Sequence, residues 1–309
     1  MTTSTGPRVA ELWRYPIKSF RGERLGSVAV TPRGFEGDRL WMVVNSRGEM
    51  VTQRSTPVLA TIEARWINGR VVLEYPGMEP LLLTPPADDA PAVETQVWRS
   101  SLTLRDGGDH AASWLSAVVG ETLRVAFMPG DITRPVNPAF DPFGGQEVGL
   151  ADGYPLLIVS LASLRALSDA TNIDIPVDRF RANIVVDGCE PWDEDTWETL
   201  QIGSWEIAVT KPCERCSVPG VDQQTGRRVP GVIDALNSLR GTSGGPPLFG
   251  VNAVARPLVP GSAPKAFSTQ LPGTANARVA CGQKGNVRQD QIAVGDTMAV
   301  LTRAAPPSV

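Results

Sequence analysis

Apolar and polar residues alternate along most of this chain in short segments that end at Gly, Pro, Asn or Asp. This pattern is typical of strands that bury one face and are joined by turns. Hairpin turns are predicted at Asn45-Ser46-Arg47-Gly48 and at Asn68-Gly69, where two such segments adjoin. The clearest strand segments are residues 9–15, 40–45, 60–66, 71–75, 102–105 and 123–127.

Helical periodicity is confined to a few places, residues 111–119, 160–170 and 232–240, and Asp109 is expected to cap the first. The predicted fold class is therefore α+β and strand-dominated: a β-barrel domain with a few packed helices, preceded by an N-terminal β-rich module. A Pro- and Gly-rich stretch separates the two parts, so the module is assigned to residues 1–130 and the second domain to residues 131–303.

The C-terminal part contains two further features. Residues 241–273 are rich in Gly, Pro and Ser and have weak periodicity, so we expect a loop that acts as a lid or a partner-binding insertion. Residues 292–301 predict a turn followed by a closing strand.

The composition excludes several classes of protein. Of 309 residues, 42% are hydrophobic and 20% charged, and a net charge of −4 gives no footprint for nucleic acid. No signal peptide is visible, and the longest apolar run, residues 154–162, is far shorter than the roughly 20 residues that span a bilayer. Four cysteines are too few for a secreted disulfide framework. We expect a cytoplasmic protein that binds neither membranes nor nucleic acids.

The single histidine also limits the possible chemistry. Sites with several histidine ligands are excluded, and a Ser-His-Asp or Cys-His mechanism would depend on His110 alone. His110 lies in the first turn of a predicted helix, where a surface position is the simpler expectation.

The segment with the most chemical information contains Cys213 and Cys216, which are separated by two residues and lie beside Lys211 and Arg215. A zinc site would need two more ligands, and Cys189 and Cys281 are too distant in sequence to form a paired knuckle. A thioredoxin-like dithiol should open a helix, which the following Val, Pro and Gly residues oppose. A reactive or metal-binding thiolate on a loop after a strand is favoured, and two inert buried thiols remain an alternative.

Three motifs resemble those of the MOSC-domain family, whose name refers to the C-terminal domain of molybdenum cofactor sulfurase. The nearest branch is the amidoxime-reducing component. The C-terminal motif is Cys213-Glu214-Arg215-Cys216 followed by Val221-Asp222-Gln223-Gln224-Thr225-Gly226. The central motif is Phe180-Arg181-Ala182-Asn183-Ile184-Val185-Val186-Asp187-Gly188-Cys189, followed by Glu194-Asp195-Thr196-Trp197. The N-terminal motif is Leu12-Trp13-Arg14-Tyr15-Pro16-Ile17-Lys18-Ser19, followed by Gly37-Asp38-Arg39-Leu40-Trp41.

The resemblance implies an enzyme with a molybdenum cofactor, molybdopterin, whose metal is bound by the Cys216 thiolate. It assigns Asp152 a position near the metal, where a proton relay and a turn cap are both open. A cofactor phosphate is an anion that Arg binds with two hydrogen bonds and Lys with a point charge. The cofactor-binding residues that the resemblance implies are Lys18, Ser19, Arg39, Arg181, Asn183 and Glu214.

The function that the resemblance implies is reduction of an N-oxygenated small molecule. Because the sequence has no cysteine cluster for an iron–sulfur centre, we expect a separate electron-donor protein of the ferredoxin, flavin reductase or cytochrome type. A cofactor carrier, a sulfur carrier and a zinc-stabilised barrel are the alternatives. This sequence differs from the family pattern at Glu214, at Pro219-Gly220 and in the long region 241–285 with Cys281.

Overall fold

The computed structural model describes residues 6–258 and 290–304, and strands dominate this part of the chain. The α+β prediction is therefore confirmed. Its three α-helices are α1 (Asp109–Val119), α2 (Leu161–Thr171) and α3 (Val232–Arg240). The strands are β1 (Arg8–Arg14), β2 (Glu23–Leu25), β3 (Ser27–Thr31), β4 (Gly34–Phe35), β5 (Trp41–Asn45), β6 (Met50–Val51), β7 (Glu63–Ile67), β8 (Arg70–Glu74), β9 (Leu81–Leu83), β10 (Ala92–Val97), β11 (Ser100–Asp106), β12 (Leu123–Phe127), β13 (Leu156–Ser160), β14 (Ile184–Asp187), β15 (Trp197–Ile202), β16 (Trp205–Glu214), β17 (Leu248–Pro257), β18 (Gln291–Ala293) and β19 (Met298–Arg303).

An eight-stranded sheet forms the framework, in the order β19-β15-β16-β17-β13-β14-β1-β2. Its only parallel pair within the described residues is β13–β14, which α2 connects as a crossover. The Ser160 hydroxyl begins α2 by accepting from the Ser163 backbone N–H, and Asn172 ends it in the left-handed region. Helices α2 and α3 then cover one face of the sheet through a core that includes Leu167 and Leu236.

The N-terminal half adds a five-stranded sheet, β10-β11-β12-β5-β6, and a three-stranded sheet, β7-β8-β9. Both predicted hairpins form, because β5 pairs with β6 and β7 pairs with β8. Strand β5 is buried on both faces, whereas β7 alternates between exposed and buried positions. Trp41, Leu59 and Leu115 pack in the core of this half.

Two predicted elements are wrong in detail. Asp109 does not cap α1: the N-cap is Gly108, and the Asp109 carboxylate accepts from Arg124 instead. Residues 57–61 form a 3-10 turn rather than the start of a strand, because Pro57 fixes a helical φ at the first position.

The predicted loop at 241–273 contains the ten-residue strand β17, so that prediction is wrong for residues 248–257. Strand β17 lies between β16 and β13 and is buried on both faces, which removes the alternation that marks a half-exposed strand. Gly250 also weakens the strand pattern. It has a φ of 71°, and a Cβ there would lie 2.6 Å from the Ile158 carbonyl oxygen. Residues 259–289, with Cys281 and most of the proposed insertion, lie outside the described residues.

The closing strand predicted near the C-terminal end is confirmed as β19, which pairs with β15. Of the helices within the described residues, none combines the length and apolar character needed to cross a bilayer.

Two buried glutamine side chains connect the N-terminal and C-terminal halves of the chain. Gln53, after β6, and Gln223, after β16, exchange two hydrogen bonds of 3.0 Å between their amide groups. The remaining amide N–H groups donate to the carbonyls of Ser19 and Val221. Because every N–H of both amides has a partner, this pair fixes the segment around Ser19 against the loop that follows Cys216.

We expect Gln53→Leu to destabilise the protein by about 1–3 kcal/mol, since it leaves the Gln223 amide and the Ser19 carbonyl buried without partners. Urea unfolding of Gln53→Leu, Gln223→Leu and the double variant measures this. The double variant should lose less than the sum of the two single losses, because the residues share one interaction. Gln201→Leu, at an exposed amide, serves as the control. Additive losses would contradict the coupling.

Candidate cofactor site

One solvent-open cavity lies at an edge of the eight-stranded sheet. The C-terminal end of β1 meets the N-terminal ends of β13 and β14 there, since β1 pairs antiparallel with β14 and β13 pairs parallel with it. Strand β16 runs parallel to β13 with β17 between them, and its last residues also line the cavity. The cavity has a volume of about 150 Å³. All eight residues singled out in the sequence line it: Lys18, Ser19, Arg39, Asp152, Arg181, Asn183, Glu214 and Cys216.

Three of these residues have left-handed backbone conformations, with φ of 70° at Ser19, 48° at Arg39 and 57° at Arg181. Such angles are costly for residues other than Gly, Asn and Asp. They persist where surrounding contacts fix the backbone, as the bonds from the Arg39 N–H to Tyr15 and from the Arg181 N–H to Asp178 do here. Strained backbone is thus concentrated in the cavity wall.

Two guanidinium groups lie against one buried aromatic ring. The guanidinium carbons of Arg39 and Arg181 are 4.6 and 4.3 Å from the centroid of the Tyr15 ring. Asp38 pairs with Arg39 at 2.5 Å. Burial and the neighbouring charge of Arg39 lower the pKa of Arg181 to about 10. The wall therefore holds more positive charge than its own carboxylates neutralise.

One donor atom of this pair has no partner. The Arg181 Nη1 atom donates to the Phe20 carbonyl at 2.6 Å, but the buried Nη2 atom has no hydrogen bond. Among the residues that line the cavity, the cations outnumber the two carboxylates, Asp152 and Glu214: they are Lys18, Arg39, Arg54, Arg181 and Arg215. An anionic group in the cavity would supply the missing acceptor and reduce the repulsion.

Asn183 supports this cationic wall from behind. Its Oδ1 atom accepts from Arg39 at 3.2 Å and from the Leu157 backbone N–H at 3.3 Å, and its Nδ2 atom donates to the Trp13 carbonyl at 3.3 Å. The amide is thus engaged by the protein, and its direct effect here is to orient Arg39.

Lys18 and Asp152 form an ion pair on the cavity wall. The Lys18 ammonium also donates to the Leu150 carbonyl at 2.9 Å, and Arg134 secures this loop by donating to the Asp152 carbonyl at 2.6 Å. Burial lowers the pKa of Lys18, and Asp152 offsets part of that effect. For Asp152, burial alone would raise the pKa, but Lys18 and Trp98 outweigh it and hold the pKa well below its usual range. The Asp152 carboxylate is therefore ionised at neutral pH.

The thiol of Cys216 lies on a loop directly after a strand, as the sequence predicts. Strand β16 ends at Glu214, and Cys216 is exposed, whereas Cys213 is partly buried. Arg215 separates the two thiols: its Nη1 atom is 3.1 Å from the Cys213 sulfur, and its Nη2 atom donates to the Phe180 carbonyl at 2.8 Å. Cys213 is thus bonded within the protein, and Cys216 is the more accessible thiol of the cavity wall.

Comparison with known proteins gives the family. The MOSC N-terminal beta barrel domain matches residues 6–122, and the MOSC domain matches residues 145–299. The chain belongs to the MOSC-domain family. Mitochondrial amidoxime reducing component 2 of Rattus norvegicus is 34% identical over 245 residues, covering 75% of this chain and 72% of that protein.

A molybdenum cofactor sulfurase of Drosophila mojavensis is 31% identical over 253 residues, which are 79% of this chain but 31% of that longer protein. Among solved structures, the YUAD protein of Bacillus subtilis is 11% identical over 81% of this chain and 91% of its own, with a TM-score of 0.31.

Two of the three departures from the MOSC pattern lie at different depths near the cavity. Glu214 lines the cavity, and its carboxylate pairs with Lys211 at 2.9 Å, which compensates the added negative charge. Pro219 and Gly220 are buried behind the cavity, where the Pro219 carbonyl accepts from Arg179 and a Cβ on Gly220 would lie 3.3 Å from Ile233. The second departure therefore changes the packing against α3 rather than the cavity wall.

The remaining candidate residues lie outside the cavity. Cys189 packs against the core of the central sheet, and burial together with Glu194 raises its pKa to about 11. His110 is exposed in the first turn of α1, as expected. Several wall residues were not found from the sequence because they belong to no motif of paired or clustered chemistry: Thr52, Arg54, Tyr154 and Asn252. Arg215 also lines the wall, and the sequence analysis placed it in the C-terminal motif without assigning it a role in the site.

Thiol alkylation tests the different environments of the cysteines. With a short pulse of iodoacetamide at pH 8, we expect Cys216 to react first and Cys189 to remain unmodified, since a pKa of about 11 leaves only roughly one Cys189 thiol in a thousand ionised. Peptide mapping by mass spectrometry gives the rates, with urea-unfolded protein as the control. Equal labelling of Cys189 and Cys216 in the folded protein would contradict this description.

Thermal unfolding with added inorganic phosphate tests the uncompensated charge. Phosphate should raise the melting temperature of cofactor-free protein saturably, because an anion relieves the repulsion between Arg39 and Arg181. Arg181→Asn removes the guanidinium but tolerates the left-handed backbone, so it should abolish this increase. Arg70→Asn, at an exposed arginine that does not line the cavity, should retain it. Equal stabilisation of both variants would exclude the proposed anion site.

Proposed function

We propose that this protein reduces N-hydroxylated and other N-oxygenated small molecules by means of a bound molybdenum cofactor, with electrons from a separate redox protein. The observation that carries the proposal is the meeting, in one open cavity, of the Cys216 thiol with a buried and incompletely neutralised arginine pair. A soft thiolate suits a metal, and the arginines suit an anionic cofactor tail. The relatives named as amidoxime reducing components support the same chemistry.

The residues present fit such a group on two independent grounds. The buried Arg181 Nη2 atom lacks an acceptor, which a phosphate oxygen would provide, and the exposed Cys216 offers one protein ligand for the metal. Lys18, Ser19, Arg39 and Arg181 would hold the anionic part, Asn183 would keep Arg39 oriented, and Glu214 would border the cofactor. Bound there, the cofactor would supply two-electron reduction of an N–O bond.

The overall reaction fixes what the protein must provide. A hydroxylamine or an amidoxime loses its N–O bond, accepts two electrons and two protons, and releases water. The electrons come from the donor protein, whereas protons can be held by groups in the cavity. Lys18 holds one proton on its Nζ atom, hydrogen-bonded to the ionised Asp152 carboxylate. We propose Lys18 and Asp152 as a relay toward the oxygen that leaves as water.

A cysteine pair provides the decisive variants. We expect Cys216→Ala to lose bound molybdenum and to reduce an aromatic amidoxime at least roughly 100-fold more slowly, because even second-shell changes cost 10–100-fold at metal sites. Cys213→Ala is the matched control, since Cys213 is bonded to Arg215 and is not the proposed ligand. Metal analysis and turnover with reduced viologen measure the two properties. Survival of both molybdenum and activity in Cys216→Ala would refute the proposal.

A sulfur carrier is the second candidate, because a molybdenum cofactor sulfurase is among the relatives and Cys216 is an exposed thiol. It predicts a persulfide on Cys216 in the intact-protein mass, no firmly bound molybdenum and no viologen-driven turnover. A cofactor carrier would instead bind molybdenum without turnover. The same preparations therefore distinguish the three functions.

A further inference from the structure

Trp98 is the most exposed large hydrophobic residue among the described residues, at 56% of its surface. It forms the turn between β10 and β11 together with Arg99, because Val97 pairs directly with Ser100. Its φ is 55°, in the left-handed region. Two-residue hairpin turns favour Asn and Gly at such positions, and a bulky aromatic residue there is strained. Both the exposure and the backbone are unfavourable for stability, so Trp98 calls for a functional explanation.

The contacts of Trp98 connect this turn to the cavity. Its ring lies 5.3 Å from the guanidinium carbon of Arg54, and Trp98 lowers the pKa of the nearby Asp152 carboxyl. The Trp98 carbonyl accepts from Gln96 at 2.6 Å, which steadies the turn. Because Arg54 and Asp152 both line the cavity, the Trp98 side chain is held at the cavity mouth.

Besides Trp98, a pair of aromatic rings borders the same cavity. Tyr154 lines it, and the partly exposed Phe140 lies edge-on to Tyr154 with ring centroids 6.5 Å apart. A small molecule whose N–O group points into the polar interior would leave its body beside these rings. Flat π-systems gain most from such surfaces, and an amidine product, being a cation, also gains from an indole face near a carboxylate.

We propose that Trp98 contacts the substrate and selects N-oxygenated compounds with a flat aromatic body over aliphatic ones. This inference rests on the proposed function for the identity of the reacting group. The strained turn is then retained because Asn or Gly, which would fit the backbone better, could not provide the aromatic surface.

Trp98→Asn is the most informative variant, since Asn suits the left-handed turn and should leave thermal stability equal or higher. With reduced viologen as electron source, we expect its KM for an aromatic amidoxime to rise about tenfold. The KM for acetamidoxime should change less than about twofold, and any change in kcat that acts through Asp152 should be the same for both substrates. Trp98→Phe retains a ring without the indole N–H, so it should retain most of the preference and rule out an effect through Asp152.

Leu82→Asn is the matched control, at a residue that is 51% exposed on β9 and does not line the cavity. Calorimetric titration with benzamidine, an unreactive aromatic amidine, measures the same surface without turnover. If the wild-type protein binds benzamidine about tenfold more tightly than Trp98→Asn, the role of Trp98 in selecting aromatic compounds is supported. This holds even if no amidoxime is reduced, because that result would reject only the proposed function. Equal preference for the aromatic substrate in wild type and Trp98→Asn, or equal benzamidine affinity, would overturn the assignment of Trp98.

Discussion

The pairing of the first strand with the central sheet is the constraint on which the rest of the structure depends. Strand β1 adds antiparallel to β14, with Leu12 opposite Ile184, and the Trp13 backbone N–H donates to Asn183 at 2.9 Å. This register places Tyr15 beneath Arg181, so the cationic wall is assembled from both halves of the chain. The β1–β14 ladder therefore sets the geometry of the cavity.

The cavity wall combines backbone strain with repulsion between like charges. Two guanidinium groups share one buried ring, and only Arg39 has a carboxylate partner in Asp38. Left-handed backbone at Arg39 and Arg181 adds strain to the repulsion. Such a site is preorganised for an anionic ligand, because a bound anion would reduce the repulsion between the two guanidinium groups. Hydrogen bonds from Arg39 and Arg181 to neighbouring residues hold the two side chains in place without a ligand.

The sequence predicted what depends on local pattern and missed what depends on tertiary contact. The Asn68-Gly69 hairpin, helix α3 and the loop position of Cys216 follow from turn chemistry and periodicity, and they agree with the structure. Strand β17 was missed because burial on both faces removes alternation. Trp98 and Arg54 belong to no motif, and their position at the mouth results from the β10–β11 turn reaching the Asp152 loop. The roles of the lining residues stay predictions.

In the proposed relay, the Lys18–Asp152 pair would both hold a proton and release it. Burial lowers the pKa of Lys18, which makes its ammonium a better acid than an exposed lysine, while the Asp152 carboxylate keeps the proton on Nζ by opposing that shift. The same pairing lowers the pKa of Asp152, so the carboxylate cannot hold the proton alone at neutral pH. A proton would therefore leave Lys18 only when a stronger base, such as the oxygen of a breaking N–O bond, comes within reach. Trp98 and Arg54 also lower the pKa of Asp152. The groups at the cavity mouth and the Lys18–Asp152 pair are therefore electrostatically coupled.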